Sequence, residues 1–376
     1  CKIILVIRLD NMGDLLMSVP AFNALKETFH CSITLLTSTA ASSIAPYINA
    51  IDDVITFDVS WMKQRETEER ELLRIVTLLK DRRFDAAVIF TVFSQNPLPS
   101  VMIAYLAGIP LRLSYCRENP YQLLTDWVPD AEPYHLLRHQ VRRDLDLVKY
   151  VGAKAQRDNI TIEVPMQFKD SLLKKLEAAG IDVARSWLII HPGVSETKRK
   201  YPTTLWIEAS KKIIRDLNFQ IVLTGVASER ALTERIRVGC EKDIFSLAGL
   251  LTIEEFIILI QMAPVVISVN TSTAHIAAGT ETKIIVLYAM TNPQHTPWKS
   301  VGKVLPFSVP ENLRSKNEVL RFVHEKYFPH RVEVPSLDDI IMAVREVLSP
   351  SDMDALRIPE RVDFFTAAKT RPEYIK

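Results

Sequence analysis

Cys1-Lys-Ile-Ile-Leu-Val-Ile-Arg-Leu-Asp-Asn-Met-Gly-Asp-Leu-Leu-Met-Ser-Val-Pro-Ala-Phe-Asn-Ala-Leu25 opens the chain, and two periodicities within it decide the fold class. Residues 3–7 are an unbroken apolar run closed at once by Arg8 and Asp10. The run lacks the long apolar region and small-residue cleavage site of a signal peptide, and it is expected to be a buried strand. Leu15, Val19, Phe22 and Leu25 then recur at helical spacing along one face. Pro20 falls inside that helix and predicts a kink or a break. A buried strand passing through a short turn into a helix is the unit of a parallel α/β sheet.

The same alternation continues along the chain. Further strands are expected at residues 32–36, 54–57 and 86–90, and a solvated amphipathic helix within residues 62–83. A strand-like stretch at residues 160–164 leads into Pro165 and a charged helix ending at Gly180, which places a domain junction here. The second half repeats the pattern with strands at residues 187–190, 220–223, 244–247, 265–269 and 283–287. Helices are expected after Pro202, Ala227, Thr252 and Ser272, and Thr252-Ile-Glu-Glu255 has the form of a capping box. The expected organisation is an N-terminal domain over 1–170, a C-terminal domain over 171–350, and a tail over 351–376 that either packs back on the first domain or stays mobile. Two doubly wound halves facing each other would hold a ligand in a central cleft at their strand carboxyl ends.

Composition narrows the class. The chain has 376 residues, 48% of them hydrophobic and 24% charged, which suits a two-domain enzyme. With 46 Lys and Arg against 45 Asp and Glu, its net charge of +1 provides no global attraction for nucleic acid. Cys1, Cys31, Cys116 and Cys240 show no metal-ligand spacing and read as free thiols of a cytoplasmic protein, so no metal is expected. No G-x-x-x-x-G-K-[ST], G-x-G-x-x-G or H-E-x-x-H motif occurs, which disfavours ATPases, dehydrogenases and zinc proteases.

Four segments could carry chemistry. In Arg8-Leu-Asp-Asn-Met-Gly-Asp14, Gly13 permits a tight turn, and Asp14 stands where it could take a proton from a hydroxyl or merely cap the helix. Asp10 competes for either role. His191-Pro-Gly-Val-Ser-Glu-Thr-Lys-Arg-Lys-Tyr-Pro202 follows a strong strand and offers Lys198, Arg199 and Lys200, either as fixed cations for a phosphate or as a solvated basic loop. Asn270-Thr-Ser-Thr-Ala-His275 ends another strand in hydroxyls and free amides, which suits anion binding or plain capping. Glu229, after Leu223-Thr-Gly-Val-Ala-Ser, could hold ribose hydroxyls or act as a helix N-terminal acid.

Taken in order, these segments resemble the ADP-heptose:lipopolysaccharide heptosyltransferases, glycosyltransferase family nine. The likeness lies in Ile7-Arg-Leu-Asp-Asn-Met-Gly-Asp-Leu-Leu-Met-Ser-Val-Pro-Ala21, residues 198–206, Ser246-Leu-Ala-Gly249, Asn270-Thr-Ser-Thr-Ala-His275 and His139-Gln-Val-Arg-Arg-Asp-Leu-Asp-Leu147. The resemblance implies a GT-B fold of two Rossmann-like domains. It implies an inverting, metal-independent transfer without a cofactor, with ADP-heptose as co-substrate and a glycan or glycolipid hydroxyl, such as one of a lipopolysaccharide core sugar, as acceptor. Asp14 takes the place of the catalytic base, with Asp10, Asn11 and Gly13 on the acceptor side. Arg199 matches a phosphate-contacting lysine, and a one-residue slip would substitute Lys198 or Lys200. Ser195 matches a hydroxyl on the donor phosphates and Glu229 a carboxylate on the donor ribose. Asn270, Thr271, Ser272 and His275 lie around the diphosphate.

The chain departs from the family pattern at Asn270, where Asp is usual, at Ser272, where Gly is usual, at Ala289-Met-Thr-Asn-Pro293, and in residues 91–97. A different nucleotide sugar with a small-molecule acceptor, a nucleotide-sugar epimerase or hydrolase, and a non-catalytic nucleotide-sugar-binding protein are the alternatives. A lipid-borne acceptor would add peripheral contact with the inner face of a membrane.

Overall fold

The computed structural model describes residues 1–62, 68–349 and 356–358, and the chain divides into two compact units, residues 1–163 and 164–376. The first unit carries a six-stranded parallel sheet: β1 (Ile3–Arg8), β2 (Ser32–Thr37), β3 (Asp53–Thr56), β4 (Ala86–Ile89), β5 (Leu111–Cys116) and β6 (Asp126–Pro129). Its helices are α1 (Met12–Phe29), α2 (Thr39–Ser42), α3 (Glu69–Arg82), α4 (Leu98–Leu106) and α5 (Gln140–Tyr150). The second unit repeats the plan with β7 (Trp187–His191), β8 (Gln220–Leu223), β9 (Ile244–Ser246), β10 (Val266–Val269), β11 (Ile284–Ala289) and β12 (Gly302–Phe307), all parallel. Around it run α6 (Lys169–Ala178), α7 (Thr203–Leu217), α8 (Arg230–Cys240), α9 (Ile253–Met262), α10 (Ser272–Gly279), α11 (Glu318–Tyr327) and α12 (Leu337–Leu348).

The strand orders are β3-β2-β1-β4-β5-β6 and β12-β11-β10-β7-β8-β9. Read from β9, the second order repeats the first, and both are the 3-2-1-4-5-6 order of a doubly wound sheet. The chain reverses direction of winding between β1 and β4 in one unit and between β7 and β10 in the other. Loops leaving those strands therefore diverge and leave a crevice at their carboxyl ends, where ligands of such sheets bind.

Central strands are apolar because helices cover both faces. Leu188, Ile189 and Ile190 of β7 and Val266 and Ile267 of β10 are wholly buried. Helix α1 is buried around most of its girth, from Leu15 to Ala21, beyond the single face that its spacing suggested. It runs unbroken through Pro20, so the expected break does not occur. The capping box at Thr252 forms as read, with Thr252 N donating to Glu255 (2.8 Å) and Glu255 N to Thr252 Oγ1 (3.3 Å).

Several expectations need correction. Residues 160–164 form no strand; Glu163 N donates to Tyr47 O (3.0 Å) and ends the first unit. The division at residue 163 precedes the expected one because α6 is tied to α9: Ser171 and Lys175 both bond the Glu255 carboxylate. Of the tail, only residues 356–358 are described. They hydrogen-bond to Ser300 and Gly302 at the start of β12, within the second unit, because that edge strand has free backbone groups. The rest of the tail, and residues 63–67 of the expected first-half helix, lie outside the described residues. No described helix is long and apolar enough to cross a membrane.

Candidate active site

In the first unit a cluster of ionisable side chains, most of them buried, gathers at the carboxyl end of β1. β1 ends in Arg8, a guanidinium wholly out of solvent, with Asp10 Oδ2 3.3 Å from its Nε and Asp14 Oδ1 3.9 Å from a terminal nitrogen. From the other side of the switch point, Gln95 Nε2 donates to Asp10 Oδ1. Behind them lies Asp144 of α5, which accepts from Ser18 Oγ (2.7 Å) and Gln140 Nε2 (2.8 Å). Arg143 beside it is clamped by Asp130 (2.8 Å) and Glu132 (2.6 Å).

Exposure separates the two candidate bases. The Asp10 side chain is 5% exposed, whereas that of Asp14 keeps 13%. Asp14 Oδ2 accepts from Asn11 N at 3.3 Å, a long bond that caps α1. The capping alternative is thus realised, yet one carboxylate has two oxygens and four lone pairs. Gly13 lies in the first turn of α1 without a positive φ, so the tight turn expected of it is not its role.

Burial raises the Asp10 carboxyl to about 6, opposed by the Arg8 charge and reinforced by that of Asp14. Burial likewise raises Asp144 to about 6 against the pull of Arg8 and its hydrogen bonds. A folded value above the unfolded one favours the folded state below about pH 4, and that contribution is lost as pH rises through about 6. Asp144→Asn has no such proton to lose. Its stability relative to the parent should therefore improve by about 2 kcal/mol between pH 4 and pH 7, as read from urea unfolding at both. A pH-independent difference would show an ordinary carboxyl.

In the second unit the loop after β7 meets the loop after β10 across the switch point. Arg199 donates to Asn270 O (3.1 Å) and pairs with Glu196 Oε2 (2.8 Å), while Lys198 Nζ takes Glu196 Oε1 (3.1 Å). Lys200 and Ser195 are exposed on the same loop. Thr271 is the N-cap of α10 in extended geometry; its hydroxyl meets Ser268 Oγ (3.4 Å) and takes no bond from the helix, so the amides of Ser272 and Thr273 are left for another acceptor. Ser272 opens the helix, and His275 is buried one turn in.

Glu229 sits on the β8 side. Its Oε2 accepts from Val226 N (2.8 Å), and its carboxylate lies directly over two glycines. A β-carbon at Gly193 would fall 2.0 Å from Glu229 Oε1, and one at Gly225 2.8 Å from Oε2. Burial raises this carboxyl above its ordinary value. His191, at the end of β7, is lowered by burial to about 4 and is neutral at pH 7, with Nδ1 3.0 Å from Thr224 Oγ1. Among the described residues no three His, Cys, Asp or Glu side chains gather as a metal site.

A model described as "Glycosyltransferase family 9 (heptosyltransferase)" matches residues 72–319. The chain belongs to that family. As a family 9 glycosyltransferase it is an enzyme, and its two doubly wound units are those of the GT-B fold. Lipopolysaccharide heptosyltransferase 2 of Salmonella typhimurium is 24% identical over 78% of this chain and 84% of its own length. A glycosyl transferase family 9 structure from Veillonella parvula superposes with a TM-score of 0.75 at 15% identity, over 92% of this chain and 97% of that one. E. coli ADP-heptose lps heptosyltransferase II gives 0.67 at 19% identity, over 93% and 98%.

In this family 9 chain the structure gathers Arg199, Asn270, Thr271 and Ser272 at one switch point. Asn270, however, points its amide into the protein. Nδ2 donates to Ala289 O (3.1 Å) and Thr291 Oγ1 (3.3 Å), and Oδ1 accepts from Ala289 N (3.1 Å). An aspartate could accept that N–H but could not donate in return, so Asn270 is a buckle between β10 and β11. Glu196 and Gln95 escaped the sequence reading, which took Gly193 and Gly225 as loop-forming glycines and missed their contact with Glu229. The two glycines had a signal, since each follows a buried strand within two residues of its end.

Gly193→Ala tests whether Glu229 matters where it sits. Its backbone admits alanine, but the carboxylate must swing away. Affinity for a nucleoside diphosphate should fall about tenfold, as in Glu229→Ala, with little further loss in the double variant. Additive losses in calorimetric titrations would show that the glycine acts independently of Glu229.

Proposed function

We propose that the enzyme transfers a sugar, ADP-heptose being the donor suggested by the relatives' names, to a hydroxyl of a lipopolysaccharide-type glycan, with inversion and without a metal. The observation carrying this reading is the junction of the Ser195–Arg199 loop with the amino end of α10, bonded through Arg199 and Asn270 O. That junction offers a guanidinium, an ammonium, hydroxyls and helix amides to one anion, which suits a diphosphate whose charge grows as the glycosidic bond breaks. Glu229, one strand over, would accept from ribose hydroxyls.

In the proposed reaction Asp14 accepts the proton of the acceptor hydroxyl, whose oxygen attacks the anomeric carbon opposite the departing diphosphate. Asp10 is engaged by Arg8 and Gln95 and serves to hold the loop. The protein's own cations and amides compensate the leaving group. A lipid-borne acceptor would bring the enzyme to a membrane surface.

Purified enzyme incubated with ADP-, UDP- and GDP-sugars, with and without a heptose-bearing acceptor, tests the reading. Acceptor-dependent release of nucleoside diphosphate is expected. Release without acceptor would mark a hydrolase, and altered sugar on an intact donor an epimerase. Arg199→Ala should weaken donor binding by about ten- to a hundredfold, and Lys200→Ala by less than threefold, in the same titrations. Equal losses would contradict the assignment of Arg199.

A further inference from the structure

A second feature of the C-terminal unit lies past the diphosphate junction. A cavity of about 180 Å³ is lined by Lys198, Thr291, Val309, Arg314, Arg321 and His324, among others. It occupies the carboxyl ends of β11 and β12 and is walled by the loop before α11 and by α11 itself. The family match ends at residue 319, one residue past the start of α11, so most of this wall lies beyond it.

Sheet order gives the cavity its place along a ligand. Glu229 follows β8, the cationic loop follows β7, and the α10 amides follow β10. A nucleoside diphosphate sugar with ribose on the β8 side and phosphates at the β7–β10 junction brings its sugar to β11 and β12 if it continues along the sheet edge. Lys198 belongs to both places: it stands in the cationic loop and lines the cavity.

The chemistry of the walls is that of an anion site with an apolar floor. Val309 and Leu320 supply the floor, and Lys198, Arg314 and Arg321 are set against one lining carboxylate, Glu325. Lys198 is paired with Glu196. Among the described residues Arg314 and Arg321, with side chains 39% and 59% exposed, face only the exposed Glu311 and Glu318, each at 3.9 Å, which is too long for a hydrogen bond. Their forked donors remain to be used. His324 adds a buried Nε2 with no hydrogen-bond partner.

We propose that this cavity is an anion-recognising sugar subsite, and that the transferred sugar carries a carboxylate or phosphate held by Arg314 and Arg321. The inference rests on the nucleotide-sugar reading given above but departs from its donor sugar: heptose carries no charge, whereas the sugar held here is anionic. It also gives sense to Asn270: a carboxylate there, next to Thr291, would repel such a sugar.

The test uses matched probes that differ only at C6: ADP-glucose with ADP-glucuronate, and UDP-glucose with UDP-glucuronate, titrated calorimetrically into the full chain. Within whichever pair binds, the uronate should bind at least about tenfold tighter. Arg314→Gln and Arg321→Gln should collapse that ratio toward one, and Arg314→Glu should invert it, with circular dichroism confirming the fold. Equal affinities within the binding uronate pair, together with equal affinities of ADP-glucose 6-phosphate and ADP-glucose, would overturn the subsite while leaving nucleotide-sugar binding intact. A ratio unmoved by the substitutions would overturn it too, and failure of all four probes would count against both readings. A phosphate-bearing sugar is covered by that second arm, in which ADP-glucose 6-phosphate is compared with ADP-glucose; the preference expected is the same.

Discussion

Asp14→Asn should lower kcat about 10²–10⁴-fold, a barrier increase of roughly 3–5 kcal/mol, while donor affinity stays within about twofold. The asparagine is chosen because Asp14 has two possible jobs. As the third residue of α1 it caps Asn11 N through one oxygen, and an amide oxygen can do the same. The thermal midpoint should therefore change little. Only an ionised carboxylate, however, can take a proton from an acceptor hydroxyl at neutral pH. A variant with near-normal turnover and unchanged stability would reduce Asp14 to a helix cap. Asp14→Ala should match the kinetic loss and add about 1 kcal/mol of destabilisation from the missing cap.

Arg8→Met should destabilise the first unit by about 3–5 kcal/mol at pH 7, because it strips the positive charge from a buried cluster. Arg8 is wholly buried, and Asp10 and Asp144, both nearly so, are held down by its field. Without it those carboxylates must take up protons or remain buried and uncompensated. The cost should shrink toward pH 5, where they are largely neutral. Urea unfolding at pH 7 and pH 5 reads both numbers. A loss under 1 kcal/mol at pH 7 would mean that Asp10 and Asp144 are satisfied by Gln95, Ser18 and Gln140 alone.

Both sheets were legible where strands are buried on two faces. Val-Val-Ile-Ser-Val before Asn270 and Trp-Leu-Ile-Ile before His191 leave little alternative to a central strand. β5, β6 and β12 went unread for a physical reason. Leu-Arg-Leu-Ser-Tyr-Cys mixes polar residues into its run, and Asp-Trp-Val-Pro and Gly-Lys-Val-Leu-Pro-Phe lie at sheet edges, where polar residues and proline are tolerated. Ile-Thr-Ile-Glu-Val at residues 160–164 has the opposite defect: it alternates like a strand but finds no partner strand.

Within the site, residues adjacent in sequence to a strand end could be picked out, and residues that act by contact from afar could not. Asp14, Arg199 and Thr271 belong to the first kind. Gln95 reaches Asp10 across 85 residues, and Asp144 bonds Ser18 across 126. The inward turn of Asn270 depends on Ala289, whose backbone groups become its partners only when β10 and β11 pair. Arg8, which read as the polar end of a strand, is buried because three acidic residues from two helices and a loop surround it.

The central claim is that a sugar nucleotide is gripped in the C-terminal unit at the β7–β10 switch point. A crystal structure with ADP or an ADP-sugar soaked in tests it most directly. The account predicts phosphate oxygens within hydrogen-bonding distance of Arg199 and the Ser272 amide, with the ribose against Glu229. A nucleotide bound away from both loops, or with its phosphates at the cavity beside α11 and its ribose remote from Glu229, would contradict it.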